Sequence, residues 1–221
     1  MTFFKVVVFA ALLVTAGAGH TSDNHQVRVV DGDTLELGGV KYRLHGIDAP
    51  EAGQLCRTAN RRTWPCGQEA IKTLQMMVRS HALTCDNRGY DKYGRTLAVC
   101  SIAGTDINAA MINKGMAWSF KRYSHDYDEI EAAAKANLVG IWQADTETPW
   151  DYRAHRWQIA KQDAPAGCSI KGNISNKGEP IYHMPWSKGY ARTRINEKKG
   201  ERWFCTEAEA IAAGWRAPWG D

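Results

Sequence analysis

The sequence contains no Cys-x-x-Cys pair and no histidine interleaved with cysteine at zinc-ligand spacing, which argues against a structural zinc site. It lacks any apolar run of the roughly 20 residues that a membrane-spanning helix requires. No internal repeat and no low-complexity tract stand out. The central part of the chain also lacks a surplus of positive charge, since residues 20–164 hold 18 Lys and Arg against 18 Asp and Glu. That balance excludes strong nonspecific adherence to polyanions, so any grip on a phosphate there must be local. The surplus sits in residues 165–221, with nine basic residues against six acidic ones.

What is present is a globular composition: 221 residues, 44 % hydrophobic and 24 % charged, enough for one ordinary domain and a smaller module. Residues 3–14 are apolar except for Lys5, and the small residues Thr15-Ala16-Gly17-Ala18-Gly19 follow. This pattern predicts a secretory leader over residues 1–19, and hence an exported protein, periplasmic or secreted, with no membrane association after cleavage. Export makes bridged cysteines the expectation. The six fall into near-neighbour pairs, Cys56 with Cys66, Cys85 with Cys100 and Cys168 with Cys205, although other pairings are open to six cysteines.

Residues 27–30, 34–37 and 40–44 read as strands, the last two joined by the hairpin signal Gly38-Gly39. Pairing about that turn sets Glu36 opposite Lys41 and Thr34 opposite Arg43. In flat alternation Asp33 and Arg43 then face opposite sides, so a shared site requires a bend or bulge. A helix follows over 67–80, with Ala70, Ile71, Leu74, Met77 and Val78 as its apolar stripe. Strands over 82–86 and 96–102 flank a loop, and symmetric pairing about Lys92 and Tyr93 places Cys85 opposite Cys100 at bridging distance. Helices are expected over 106–114, over 126–139 with Asp126 and Glu129 as a capping pair, and over 149–161. Residues 162–167 read as a linker. The tail, 168–221, suggests three short strands and a helix from Glu207 capped by Thr206.

Three motifs carry the chemistry: Asp31-Gly32-Asp33-Thr34, then Arg43-Leu44-His45-Gly46-Ile47-Asp48-Ala49-Pro50-Glu51, then Asp91-Lys92-Tyr93-Gly94-Arg95. Each follows or interrupts a strand-like run, so acids and arginines lie where a sheet ends. Three acids and two arginines are the inventory for binding a hard cation and gripping a phosphodiester. Asp31 reads as a turn former or an acid behind the direct ligands, not as a ligand itself, His45 as structural and His125 as solvated.

With the later Gly140-Ile141-Trp142, these motifs resemble the staphylococcal nuclease family in order and spacing, over about residues 26–153. The resemblance implies a mainly β protein with helices: an OB-fold, five-stranded Greek-key barrel with about three helices. A small disulfide-linked α+β module would complete the chain, giving a leader (1–19), a barrel domain (20–161), a linker (162–167) and a C-terminal module (168–221). By resemblance, Asp33, Asp48 and the backbone carbonyl of Ala49 hold Ca2+, Arg43 and Arg95 grip phosphate, and Glu51 is the catalytic carboxylate. Tyr93 and Tyr123 match substrate-side tyrosines, and Lys121 replaces another. The implied activity is an endonuclease that hydrolyses the 5′ P–O bond of single-stranded or frayed DNA and RNA, leaving 3′-phosphate ends, and acts as a monomer.

The loop after Glu51 departs from the best-known pattern, since Cys56 to Cys66 encloses Arg57, Arg61, Arg62 and Trp64. Arg61 and Arg62 are expected to touch substrate, with simple stapling of the loop as the alternative. Through residues 170–175 (Ile-Lys-Gly-Asn-Ile-Ser), 181–183 (Ile-Tyr-His) and 203–215 (Trp-Phe-Cys-Thr-Glu-Ala-Glu-Ala-x-x-Ala-Gly-Trp), the tail resembles C-terminal modules of exported nuclease-like proteins from rhizobial exopolysaccharide gene neighbourhoods, and its Trp186, Trp203, Trp215 and Trp219 read either as binders of a polyanion or cell-envelope polymer or as core. Its last segment is also similar to the zinc module of a DNA alkylation-repair protein but lacks that module's cysteines, so no zinc is expected. Competing readings are a noncatalytic OB-fold binder of nucleic acid or protein and an accessory factor in exopolysaccharide production. Retention of Asp33, Arg43, Asp48, Glu51 and Arg95 favours the enzyme.

Overall fold

The structure, a computed structural model, describes residues 27–79 and 82–218, so the expected leader and Trp219 lie outside the described residues. Strands β1 (Arg28–Asp31), β2 (Thr34–Leu37) and β3 (Val40–Leu44) form an antiparallel meander. Gly38 and Gly39 both take positive φ, 58° and 79°, which the two-residue turn between β2 and β3 demands. The register is the expected one, with Thr34 opposite Arg43 and Glu36 opposite Lys41. The facing problem between Asp33 and Arg43 is resolved at the turn. Asp33 occupies the tight Gly32-Asp33 connection outside both strands, and the β1–β2 register shifts between Val29 and Asp31.

After β4 (Ile47–Asp48), a hairpin of β5 (Cys56–Arg57) and β6 (Thr63–Trp64) leads into α1 (Cys66–Val78). The stripe of α1 is buried at Ala70, Ile71, Leu74 and Val78. Strand β7 (Leu83–Tyr90) runs longer than expected, because a bulge between Asn87 and Gly89 shifts its pairing with β8 (Thr96–Ile102) by one residue. Cys85 still faces Cys100. The main sheet has the order β1-β2-β3-β8-β7, with β3 parallel to β8, and β9 (Thr105–Asp106) extends from β8. Helix α2 (Ile107–Asn113) is capped by Asp106, and β10 (Trp118–Ser119) pairs with β4. This is the OB-like arrangement that the sequence predicts.

Helix α3 (Asp128–Ala136) starts two residues late, and the expected Asp126–Glu129 capping pair does not form. The acids that matter there serve β10 instead: Ser119 donates its hydroxyl to Asp128 and its backbone N–H to Glu131. Helix α4 (Pro149–Asp163) is a fourth helix of the stretch assigned to the barrel and continues two residues into the expected linker. The tail forms a three-stranded sheet of β12 (Pro180–His183), β11 (Ile170–Ile174) and β13 (Arg202–Phe204), followed by α5 (Glu207–Ala212) with Thr206 as its cap.

The main core gathers Leu35, Leu44, Ile47, Leu74, Met111 and Ile112, all nearly inaccessible to solvent. Each such side chain contributes about 1.5–3 kcal/mol of burial. A second cluster joins Trp118 and Ile141 to the Cys56–Cys66 bridge, and a third joins Ile170, Tyr182 and Phe204 in the tail. Trp157 of α4 packs on the third cluster, and Arg156 donates to the backbone carbonyl of Pro185, so the tail is docked on α4. The bridges Cys56–Cys66, Cys85–Cys100 and Cys168–Cys205 are all formed.

Candidate active site

The turns at the ends of β1 and β3 bring the first two motifs together. Arg43 sits near the end of β3, and its guanidinium forks between two carboxylates: Nη1 donates to Asp33 and Nη2 donates to Asp48 at 2.7 Å. Asp33 also accepts from the backbone N–H of Ala49 at 2.8 Å. The structure therefore records Ala49 as a donor that locks Asp33 to the strand carrying Asp48. Buried Asn108 holds that strand in place by donating to the carbonyls of His45 and Ala98 and accepting from the backbone N–H of Cys100.

Glu51 lies in a loop fixed from three sides. Its backbone N–H donates to the side chain of fully buried Gln54, which in turn donates to the carbonyl of Glu147. Gly67 allows α1 to press against the loop, because a Cβ at that position would stand 1.8 Å from the Glu51 carbonyl oxygen. From α4, Arg153 donates to Glu51 at 2.6 Å and to Asp48 at 3.1 and 2.7 Å.

Four carboxylates (Asp31, Asp33, Asp48 and Glu51) thus share one buried region with two guanidinium groups, Arg43 and Arg153. Full ionisation would leave two uncompensated negative charges. The titration behaviour reflects that excess. Burial, then the neighbouring Asp33, pushes the Asp31 carboxyl up to about 7. Burial, then Asp31, holds Glu51 well above the ordinary carboxylate range. Burial also raises Asp33, against the pull of Arg43. Burial acts in the same direction on Asp48, but Arg43 and Arg153 outweigh it and keep that carboxylate ionised.

The third motif forms a separate rim of the same cleft, whose volume is about 1080 Å³. Asp91 accepts from the backbone N–H groups of Tyr93 and Arg95 and from Arg95 Nε at 2.6 Å, so Arg95 is held at the rim and does not touch the acid cluster. The side chain of Arg95 stands over the ring of Tyr93. Tyr93 and Tyr123 both line the cleft. Lys121 does not line it; it points to α3, 3.8 Å from both Asp128 and Glu131. Arg61 and Arg62 are exposed on the β5–β6 hairpin and also lie outside the cleft lining. The disulfide fixes the hairpin to α1.

A model of the staphylococcal nuclease homologue family matches residues 41–144. The chain is 35 % identical over 144 residues to a succinoglycan biosynthesis protein, ExoI, of Rhizobium meliloti (strain 1021), covering 63 % of this chain and 75 % of that one. It is 37 % identical over 149 residues to an uncharacterized endonuclease of Haemophilus influenzae, covering 62 % and 78 %. A micrococcal nuclease of Shigella flexneri is 29 % identical over 166 residues, covering 67 % and 90 %. The chain belongs to the staphylococcal nuclease family. Sequence reasoning did not find three elements of this family member's site. Arg153 carries no local signal, being one arginine on a polar helix. Gln54 is betrayed only by its fixed position within the Glu51 loop. The tail residues Tyr182, Met184, Trp186 and Lys188, which line the cleft, follow a stretch that reads as a linker.

Proposed function

We propose that this nuclease is a calcium-dependent, exported endonuclease that cleaves the 5′ P–O bond of single-stranded or frayed DNA and RNA and leaves 3′-phosphate ends. The observation that carries the reading is the Arg43 fork between Asp33 and Asp48, with Glu51 beside it in the same buried cluster. A divalent cation fits this cluster by donor type and by charge. The donors are oxygen atoms, as calcium prefers, and the two uncompensated charges match a dication. Among the described residues no three acids, histidines or cysteines form a ready-made cage, so Asp33 and Asp48 would take the ion as the arginines yield carboxylate oxygens to it. When bound, the ion would polarise the phosphate and lower the pKa of water.

The chain's own residues supply the rest. Glu51, raised in pKa by burial, is suited to take a proton from the attacking water, a step worth ~10²–10⁴-fold. Water adds its oxygen to phosphorus while the P–O5′ bond breaks and the 5′ oxygen leaves with a proton. Arg43 presents a planar fork to a phosphate oxygen, and Arg95 on the opposite rim is available to a second. Export is supported by the leader-like residues 3–19 and by the three disulfides.

One relative's name favours a second reading, a part in exopolysaccharide production. The retained acids and arginines favour the nuclease. Digestion of single-stranded DNA with calcium, with EDTA, and by Glu51→Gln tests it. The expected result is cleavage only by the parent with calcium; cleavage that survives both chelator and substitution overturns the mechanism.

A further inference from the structure

The cleft has a wall that the catalytic motifs do not supply. Tyr182, Met184, Trp186 and Lys188, all from the tail, line it together with the acid cluster and the Asp91–Arg95 rim. The tail reaches both edges of the site. At one edge the backbone of Trp186 and Lys188 lies against the Glu51 loop, where a Cβ on Gly53 would stand 3.1 Å from the Trp186 carbonyl oxygen. At the other, Glu207 and Lys92 both line the cleft, and the Glu207 carboxylate accepts the Tyr182 hydroxyl at 2.7 Å.

Trp186 is half-buried, its ring supported by Trp157 of α4 at 5.9 Å, so its position is set from behind. Lys188 is exposed, and among the described residues its ammonium donates a long hydrogen bond, 3.5 Å, to Gln68 at the start of α1. A braced aromatic face, a thioether and a lightly held ammonium along one wall are the parts of a single-strand track. Bases stack on aromatic faces whatever their sequence, and a cation follows the backbone.

We propose that the tail forms a substrate subsite, in which Trp186 and Met184 stack a nucleobase flanking the scissile phosphate and Lys188 meets the next backbone phosphate. The inference rests on the nuclease reading. It assigns the tail a part in holding the strand and gives the positive surplus of residues 165–221 a place to act.

The test uses the full chain carrying Glu51→Gln and a fluorescently labelled 12-nucleotide oligothymidylate, with binding followed by anisotropy in calcium. Adding Trp186→Ala should raise the Kd about tenfold, a loss in keeping with one stacked base. Trp186→Phe should stay within about twofold of the parent, which separates stacking from misfolding. Lys188→Ala should weaken binding and reduce the slope of log Kd against log salt by about one. Inorganic phosphate, followed by titration calorimetry and carrying no base to stack on the wall, should bind the parent and both Trp186 variants equally. Unchanged oligothymidylate affinity in Trp186→Ala, or an equal loss on both ligands, would overturn the subsite. Failure of the wild-type chain to cleave DNA would instead remove the nuclease reading while leaving this binding comparison intact.

Discussion

Arg153 donates two hydrogen bonds to Asp48, at 3.1 and 2.7 Å, across 105 residues of sequence. With its third bond, to Glu51, it occupies carboxylate oxygens that a cation would also use. Arginine and metal are therefore rivals for the same charge. Arg153→Met should lower the Tm of the metal-free protein, because removing one partner of a largely buried pair costs roughly 3–5 kcal/mol at full burial and less here, where the arginine keeps some exposure. The same variant should bind calcium more tightly by isothermal titration. An unchanged calcium affinity would show that the two do not compete.

Arg43 serves two acids at once, which a lysine cannot do, because a single ammonium lacks the planar fork. Arg43→Lys should lower kcat at least about tenfold, in keeping with the loss of one charged donor to the transition state. Steady-state cleavage of single-stranded DNA measures it, and a kcat within twofold of the parent would remove Arg43 from the chemistry.

Gly67 faces the Glu51 backbone so closely that alanine cannot be accommodated without moving the loop or the helix. Gly67→Ala should both destabilise the fold, by about 1–3 kcal/mol as for other forced overpacking, and reduce activity. Urea denaturation and cleavage assays read the two effects. Full activity with parental stability would mean that the loop has slack here.

Asp91 carries the pH dependence of the opposite rim. Burial works to raise its carboxyl, but Arg95 and the backbone N–H groups outweigh it and hold it below the ordinary value of 3.8. A group depressed in the folded state adds stability above its unfolded pKa, and that stability is lost as pH falls through the folded value. Asp91→Asn should therefore be less stable than the parent at neutral pH and converge with it once the pH has fallen through the folded-state pKa of Asp91, which lies below 3.8. Thermal melts across pH 2–7 would reveal this, and a constant difference down to the acid limit would contradict the assignment.

Much of the barrel was legible because its signals are local. Gly38-Gly39 fixed the β2–β3 register, the apolar stripe fixed α1, and symmetric spacing placed Cys85 against Cys100. The five site residues expected from the three motifs were legible as a set, and four of them, Asp33, Arg43, Asp48 and Glu51, meet in one buried cluster, which Asp31 joins. The misses have physical causes. Asp126 and Glu129 have cap spacing, but tertiary bonds to Ser119 recruited Asp128 and Glu131 instead. Arg61 and Arg62 sit next to the site in sequence, and they are exposed on the hairpin outside the cleft lining. Arg153 and Trp186 reach the cleft only through docking of α4 and the tail, and no periodicity or motif encodes that docking.

The dependence on α4 has a consequence for biogenesis. Asp33, Arg43, Asp48 and Glu51 belong to the first part of the barrel to be synthesised, whereas Arg153 follows about a hundred residues later. A growing chain therefore concentrates acidic groups before their second guanidinium partner has been synthesised. On the proposed metal-dependent reading, a divalent cation would serve as the counterion of these acids until Arg153 docks.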